Sequence, residues 1–211
     1  MQKYLKAIKD HVQHPEYRDS DIAEHLTTIF TESCVGWPKV MVELGVRTGE
    51  STFALAFAAE QCDAKLISVD NEYCSNACGK IEPEWYFVQA DSVQFSGEFL
   101  RWCQSKIPNR VIDDKHPVEV LFIDTCHIYE MTRREIEAWF PLLYERAVVI
   151  MHDTNKRLRP DRGVIRVLEN LFCEGFCETT PFVKYVESKK YGGFVFSHWP
   201  NCNGLAVLRR V

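Results

Sequence analysis

The stretch Lys39–Ala56, KVMVELGVRTGESTFALA, decides how this chain is read. Val40, Met41, Val42 and Leu44 form a short apolar run interrupted only by Glu43, the pattern of a strand buried on both faces. Gly45-Val46-Arg47-Thr48-Gly49 is a glycine-bracketed turn, and Ser51, Thr52, Phe53, Leu55 and Phe57 read as the opening of a helix. A strand that passes through glycines into a helix N-terminus makes a site for a charged or nucleoside-bearing ligand. The glycines let backbone approach the ligand, and the helix end presents N–H groups that have no intrahelical acceptor.

Outward from that stretch, the bulk properties narrow the class. At 211 residues the chain suits one domain with a proper core. The expectation is a single domain over residues 1–211, with helices in 1–37 covering the site and a core in 38–211. Hydrophobic content of 46% and charged content of 26% are those of a soluble globular protein. No run approaches a membrane span, and Met1 to Asp10 carries charges where a signal peptide needs an apolar stretch, so the cytoplasm is the expected compartment and no membrane partner is expected. Nine scattered cysteines fit reduced thiols better than a disulfide framework. The pairs Cys74/Cys78 and Cys173/Cys177 have i, i+4 spacing rather than the C-x-x-C form of common zinc sites. A net charge of −5 argues against a nucleic-acid partner, whose binding depends on neutralising phosphates. Lys156, Arg157, Arg159, Arg162 and Arg166 are a local exception: either a solvated loop and helix start, or a lid or pocket for an anionic substrate.

Before the first strand, Tyr4, Ile8 and Val12 recur at helical spacing. Ile22, Leu26, Ile29 and Phe30 do so again after the N-cap cluster Asp19-Ser20-Asp21. These two helices would cover a substrate pocket or a dimer face, which leaves a homo-oligomer open. After the opening motif come strands ending in Leu66-Ile67-Ser68-Val69-Asp70, in Trp85–Gln89 with Ala90-Asp91-Ser92, and in Val118–Asp124. Phe95, Phe99, Leu100 and Trp102 give one helix face, and Tyr129, Ile136, Trp139, Phe140 and Leu143 another that stops near Pro141. A fifth strand, Ala147–Met151, runs into His152-Asp153-Thr154-Asn155, and Gly163–Phe172 follows as a helix. Two late strands are expected, about Phe182–Val186 and Gly204–Leu208, with Gly192-Gly193 between them. This βα alternation predicts an α/β fold with a mainly parallel sheet and helices on both faces. Glu43, Asp70, Asp91, Asp124 and Asp153 all fall at or beside C-terminal strand ends, the edge where open α/β sheets bind ligands. Asp70 stands where nucleotide-binding folds place the acid that holds ribose hydroxyls.

The spacing Glu43-x-Gly45-x-x-x-Gly49 departs from the dinucleotide fingerprint G-x-G-x-x-G. Its acid would repel a pyrophosphate but not the amino and sulfonium charges of S-adenosylmethionine. The arrangement resembles motif I of the class I S-adenosylmethionine-dependent methyltransferases. The run FIDTCHIYEMTRREIEAWFPLL, then VVIMHDT, and the tail NGLAVLRR are similar to one branch of that family, with Asp-x-x-His-x-Tyr-Glu, a helix ending Trp-x-Pro-Leu-Leu and a strand closing on His-Asp. The resemblance covers roughly Val40 to Arg210. It implies a Rossmann-like doubly wound sheet of seven strands, order 3-2-1-4-5-7-6, with strand 7 antiparallel. One departure is that Tyr-Glu-Arg-Ala-Val-Val leads into the fifth strand without the usual Gly-Gly turn.

The same resemblance implies roles. Glu43, Gly45 and Gly49 would hold the methionine portion of the cofactor, with Val46 and Ser51 beside them. Asp70 would bind the ribose hydroxyls; Asp91 and Ser92 would flank the adenine; Asn71 would also belong to the cofactor site; Asp124 would stand at the transfer centre. Related sugar and macrolide O-methyltransferases hold magnesium with acids at the fourth and fifth strand ends and use the Asp-x-x-His histidine as base. The counterparts are Asp124, His152 and Asp153 for a magnesium or manganese ion, and His127 for the base. A histidine where those enzymes have glutamate makes the set less magnesium-like. The leading expectation is O-methylation of a small-molecule or sugar hydroxyl. The alternatives are a catalytically silent S-adenosylmethionine-binding module and an NAD-dependent oxidoreductase, the latter disfavoured by Glu43 and the missing third glycine.

Overall fold

The computed structural model describes residues 1–14, 20–74, 77, 85–109, 115–155, 163–172 and 181–211. Strand β1 (Val40–Leu44) lies inside an eight-stranded sheet, and all five of its residues are buried. Its alternation explains this. Val40, Val42 and Leu44 enter one hydrophobic layer and Met41 the layer on the opposite face. Parallel neighbours on both sides, β2 (Lys65–Asp70) and β4 (Val118–Ile123), satisfy its backbone. Outside them run β3 (Trp85–Gln89) on β2 and β5 (Leu143–His152) on β4, both parallel. β8 (Leu205–Arg210) pairs antiparallel with β5, β7 (Gly192–Trp199) with β8, and β6 (Phe182–Ser188) with β7. The order is β3-β2-β1-β4-β5-β8-β7-β6.

Eight strands stand where seven were expected. The Gly192-Gly193 stretch, read as a connection, opens β7. An added Cβ at Gly193 would lie 2.4 Å from the Tyr185 hydroxyl of the neighbouring strand, so the glycine makes room for a cross-strand aromatic rather than marking a turn. The rest of the topology is as read, with the last strand antiparallel beside the fifth.

Helices α1 (Gln2–Gln13), α2 (Leu26–Ser33) and α3 (Glu50–Cys62) cover one face. There Tyr4, Ile8, Phe30, Leu55 and Ala58 pack over Met41, Val120, Phe122 and Ile150. The other face carries α4 (Ser92–Ser96), α5 (Phe99–Lys106), α6 (Tyr129–Trp139) and α7 (Gly163–Phe172). Phe99, Trp139, Leu168 and Phe172 pack there over Val42, Leu121 and Val149. Three boundaries differ from the periodic reading. Ile22 precedes a 3-10 turn (Ala23–His25), so the helix starts at Leu26. The helix expected after β3 is split into α4 and α5 near Gly97. Leu143 opens β5 instead of ending α6, because Pro141 lies in a 3-10 turn (Phe140–Leu142) that redirects the chain. No helix among the described residues is long and apolar enough to cross a membrane. Asp19, Lys156, Arg157, Arg159, Arg162, Cys78, Cys173 and Cys177 lie outside the described residues.

Candidate active site

Parallel register brings the C-terminal ends of β1, β2, β4 and β5 to one edge. Leu44 pairs with Val69 and with Ile123, and Ile123 with Met151. The residue that follows each strand end therefore meets its neighbours there. Gly45 donates its N–H to the Val69 carbonyl at 2.9 Å, and Asp124 donates to Leu44 at 2.9 Å. Gly45 has φ +90°, and an added Cβ would lie 2.2 Å from the Asp124 carbonyl oxygen, so only glycine fits where β1 and β4 part. Arg47, His127 and Asp153 also hold left-handed backbone, with φ of 51°, 58° and 59°. Non-glycine residues seldom adopt this conformation, and three of the six that do among the described residues lie at this edge.

Glu43 occupies a position facing α3 where the strand pattern calls for an apolar residue. It is fully buried, and three hydroxyls donate to it: Ser51 at 2.7 Å, Thr52 at 3.0 Å and Ser68 at 2.5 Å. The Trp85 indole N–H donates in turn to Ser68 at 2.8 Å. Burial pushes the Glu43 carboxyl up to about 7, against the pull of those hydroxyls and with a further push from Asp124. Glu43 thus ties β1 to α3 and β2, and it lines neither cavity described below. Gly49 also stays behind the surface, as the left-handed residue that starts α3, with Ala77 against it.

Asp70 accepts from the backbone N–H groups of Val46 at 2.8 Å, Arg47 at 3.2 Å and Glu72 at 2.9 Å. Burial alone would raise its pKa, but these amides favour the carboxylate and move it downward. The same side chain lines a cavity of about 420 Å³ with Gly45, Arg47, Asn71, Asp91, Ser92, Asp124 and Thr125. That volume is in the range of small-molecule and cofactor pockets. Asp91 caps α4, accepting from the Gln94 N–H at 2.8 Å. Behind Ser92 and Thr125 lies Glu135, for which no sequence pattern stands out; it accepts from both hydroxyls, at 2.7 and 2.8 Å, and burial raises its pKa.

A smaller cavity of about 80 Å³ adjoins the first across Gly45, Arg47, Asp124 and Thr125. Val46, Ser51, His127, His152 and Asp153 line it, as do Asp21 and Ile22 from the N-terminal segment. His127 Nε2 lies 2.8 Å from Asp153 Oδ2 and 3.7 Å from Asp124 Oδ1. His152 Nδ1 lies 3.2 Å from Asp124 Oδ1 and 3.4 Å from Asp153 Oδ2. Its other nitrogen, Nε2, is 3.2 Å from the Asp21 carbonyl oxygen. Asp21 is held by Asn203, which donates to its carboxylate at 2.7 Å, and Asn201 fixes Glu24 at 2.8 Å. Burial would lower the His152 pKa, but the Asp124 carboxylate, with help from Asp21, moves it upward. Asp124, His152 and Asp153 each offer a ligand atom, all within 4.8 Å of one another. Two carboxylates and one imidazole suit a divalent cation, and the nitrogen moves the preference from magnesium toward manganese and later transition ions.

The expected residues therefore divide. Gly45, Asp70, Asn71, Asp91, Ser92 and Asp124 line the larger cavity; Val46, Ser51, His127, His152 and Asp153 line the smaller one; Glu43 and Gly49 support the loop from behind. Arg47, Asp21 and Thr125 were not singled out. Arg47 had a visible signal, since it is the cation between the two glycines, whereas Asp21 reaches the site only through the fold.

A family model for a methyltransferase domain matches residues 42–154, just over half of the chain. The chain belongs to that family. An uncharacterized protein of Sinorhizobium fredii, y4gI, is 31% identical over 124 residues, covering 57% of this chain; the match spans 14% of that protein's length. Among solved structures the fold is similar to that of CalS11, a TDP-rhamnose 3'-O-methyltransferase of calicheamicin biosynthesis, at 14% identity over 99% of this chain and 93% of that one, with a TM-score of 0.54. It is also similar to MycE, a methyltransferase of mycinamycin biosynthesis solved with magnesium, S-adenosylhomocysteine and mycinamycin VI, at 12% identity over 98% of this chain and 54% of that one, with a TM-score of 0.57.

Proposed function

We propose that this chain is an S-adenosylmethionine-dependent O-methyltransferase acting on a hydroxyl of a small molecule or sugar, assisted by a divalent cation. The observation that carries the proposal is the meeting of two cavities across Gly45 and Asp124, one lined by Asp70, Asn71 and Asp91, the other by His127, His152 and Asp153. When bound, the cofactor supplies a methyl group made electrophilic by its sulfonium. Asp70 and Asn71 hold the ribose, while Asp91 and Ser92 flank the base. A carboxylate with three amide donors stays ionised, so Asp70 retains capacity to accept from a further hydroxyl. The acid-lined surface favours the cofactor's positive charges. His127 takes the proton of the acceptor hydroxyl, and Asp153, 2.8 Å from its Nε2, orients the ring and stabilises the imidazolium that forms. Asp124, His152 and Asp153 would hold the cation, whose chemistry there would be to lower the pKa of the acceptor hydroxyl. The similarity to CalS11 and MycE supports a sugar-bearing or natural-product acceptor. The His127–Asp153 contact favours an active enzyme over a silent binding module.

Titration calorimetry with S-adenosylhomocysteine and with NAD tests the cofactor. S-adenosylhomocysteine is expected to bind with Kd on the order of micromolar. Binding of NAD alone would overturn the reading. A methyl-transfer screen over sugar, catechol and other hydroxylated acceptors then assigns the substrate.

A further inference from the structure

Arg47 is the one lysine or arginine among the described residues lining either cavity, and it lines both. Apart from the Cys126 thiol in the larger cavity, the other ionisable side chains around it are acids and two histidines: Asp70, Asp91 and Asp124 in the larger cavity, and Asp21, Glu50 and Asp153 with His127 and His152 in the smaller. The Arg47 side chain is exposed, and its guanidinium makes no hydrogen bond or ion pair among the described residues. Its backbone, by contrast, is fixed. The residue holds a left-handed φ of 51°, and its N–H is bound to Asp70 Oδ2 at 3.2 Å. An arginine is thus held in a costly conformation at the junction of two cavities while its charged end stays unused by the fold.

We propose that Arg47 is the anchor for the α-carboxylate of the cofactor's amino-acid moiety, an assignment that rests on the S-adenosylmethionine reading above. That cofactor carries two positive groups, a sulfonium and an ammonium, and one negative group. The acids of this edge suit the first two and repel the third. A carboxylate bound among them needs a cation, and the planar guanidinium offers two parallel donors to one carboxylate. The first turn of α3 borders the same cavity through Glu50 and Ser51, and its dipole adds to the attraction for an anion. A lysine would supply the charge but not the paired donors.

The test uses two ligands that differ by the amino-acid moiety. S-adenosylhomocysteine has it; 5'-methylthioadenosine keeps the nucleoside and the sulfur but has no carboxylate. Both are titrated calorimetrically into the wild-type chain, Arg47→Met and Arg47→Lys, with thermal melts to check the fold. Arg47→Met is expected to weaken S-adenosylhomocysteine about 10- to 100-fold and to leave 5'-methylthioadenosine within about twofold. Arg47→Lys should recover part of the loss. An unchanged S-adenosylhomocysteine affinity in Arg47→Met overturns the assignment. An equal loss for both ligands also overturns it, since that reports damage to the Asp70 loop. A rise in KM for an anionic acceptor with both affinities unchanged overturns it too and moves Arg47 to acceptor recognition. Should the wild-type chain bind neither ligand, the cofactor reading fails first and takes the assignment with it.

Discussion

Glu43 and His127 both fall in motifs, yet the fold uses them differently. Glu43 is a buried acid whose carboxyl is pushed from 4.5 up to about 7, chiefly by burial. Its protonated form is the one the fold prefers. The contribution to stability is complete below pH 4.5, the unfolded value, and is lost as pH rises through about 7. The gap between wild type and Glu43→Gln should therefore shift in favour of the variant by about 3 kcal/mol between acid pH and pH 8. Urea melts across that range check this, and parallel curves would refute it. His127 instead lines the smaller cavity, where the proposed reaction takes place. His127→Ala should lower turnover by about 10²–10⁴-fold and leave cofactor affinity nearly unchanged. Wild-type turnover in that variant would transfer the base role to His152. Asp70 combines both kinds of role: because it also holds the amides of Val46 and Arg47, Asp70→Ala should disturb the glycine loop as well as the ribose contact.

At the scale of elements, the site depends on two close approaches. One is Gly45 against the end of β4. The other joins α7 to α6, where Gly163 donates to the His127 carbonyl at 2.8 Å and an added Cβ would lie 1.9 Å from the Tyr129 backbone nitrogen. Neither neighbour is a flexible side chain that can swing away. Gly163→Ala should push the start of α7 off α6, at a cost of about 1–3 kcal/mol, and should displace His127 through the shared hydrogen bond. Chemical denaturation measures the first effect and turnover the second; a variant equal to wild type in both would show that the helices separate freely. The start of β1 is fixed by a different device. Glu119 of β4 accepts from Lys39 and Val40 N–H groups at 2.6 and 3.0 Å, satisfying amides at the strand's entry.

Across the whole molecule, the proposed cation site assembles from segments far apart in sequence. Asp124 ends β4, His152 and Asp153 end β5, and the Asp21 carbonyl that meets His152 Nε2 comes from the N-terminal segment, steadied by Asn203 before β8. With the Nε2 proton given to that carbonyl, the lone pair of neutral His152 sits on Nδ1, 3.2 Å from an Asp124 oxygen. Lone pair and carboxylates repel unless a proton or a cation lies between them. Manganese should accordingly raise the melting temperature more than magnesium does, and saturation at a hundred times Kd corresponds to about 2.7 kcal/mol. Asp153→Asn should abolish the rise. An identical melting curve with and without saturating manganese, in the presence of S-adenosylhomocysteine, would count against a cation at these residues.

The sequence by itself determined the parallel α/β core and the edge at which the strand-end acids gather. Buried strands read as apolar runs with acids at their ends, so the meeting of Asp70, Asp124 and Asp153 with His127 and His152 around two adjoining cavities could be anticipated. The eighth strand was not legible, because a glycine pair signals a turn unless the cross-strand Tyr185 that needs its space is known. The role of Glu43 was also beyond the sequence: whether an acid beside a glycine loop faces a ligand or three hydroxyls depends on which way the strand's pleat turns against α3 and β2. Glu135 and the Asn201–Asn203 turn carry no local pattern, and the N-cap pattern around Asp21 points to a helix start rather than to this site. Hydrogen bonds between segments up to 182 residues apart bring them into place, and only the tertiary structure decides contacts of that range.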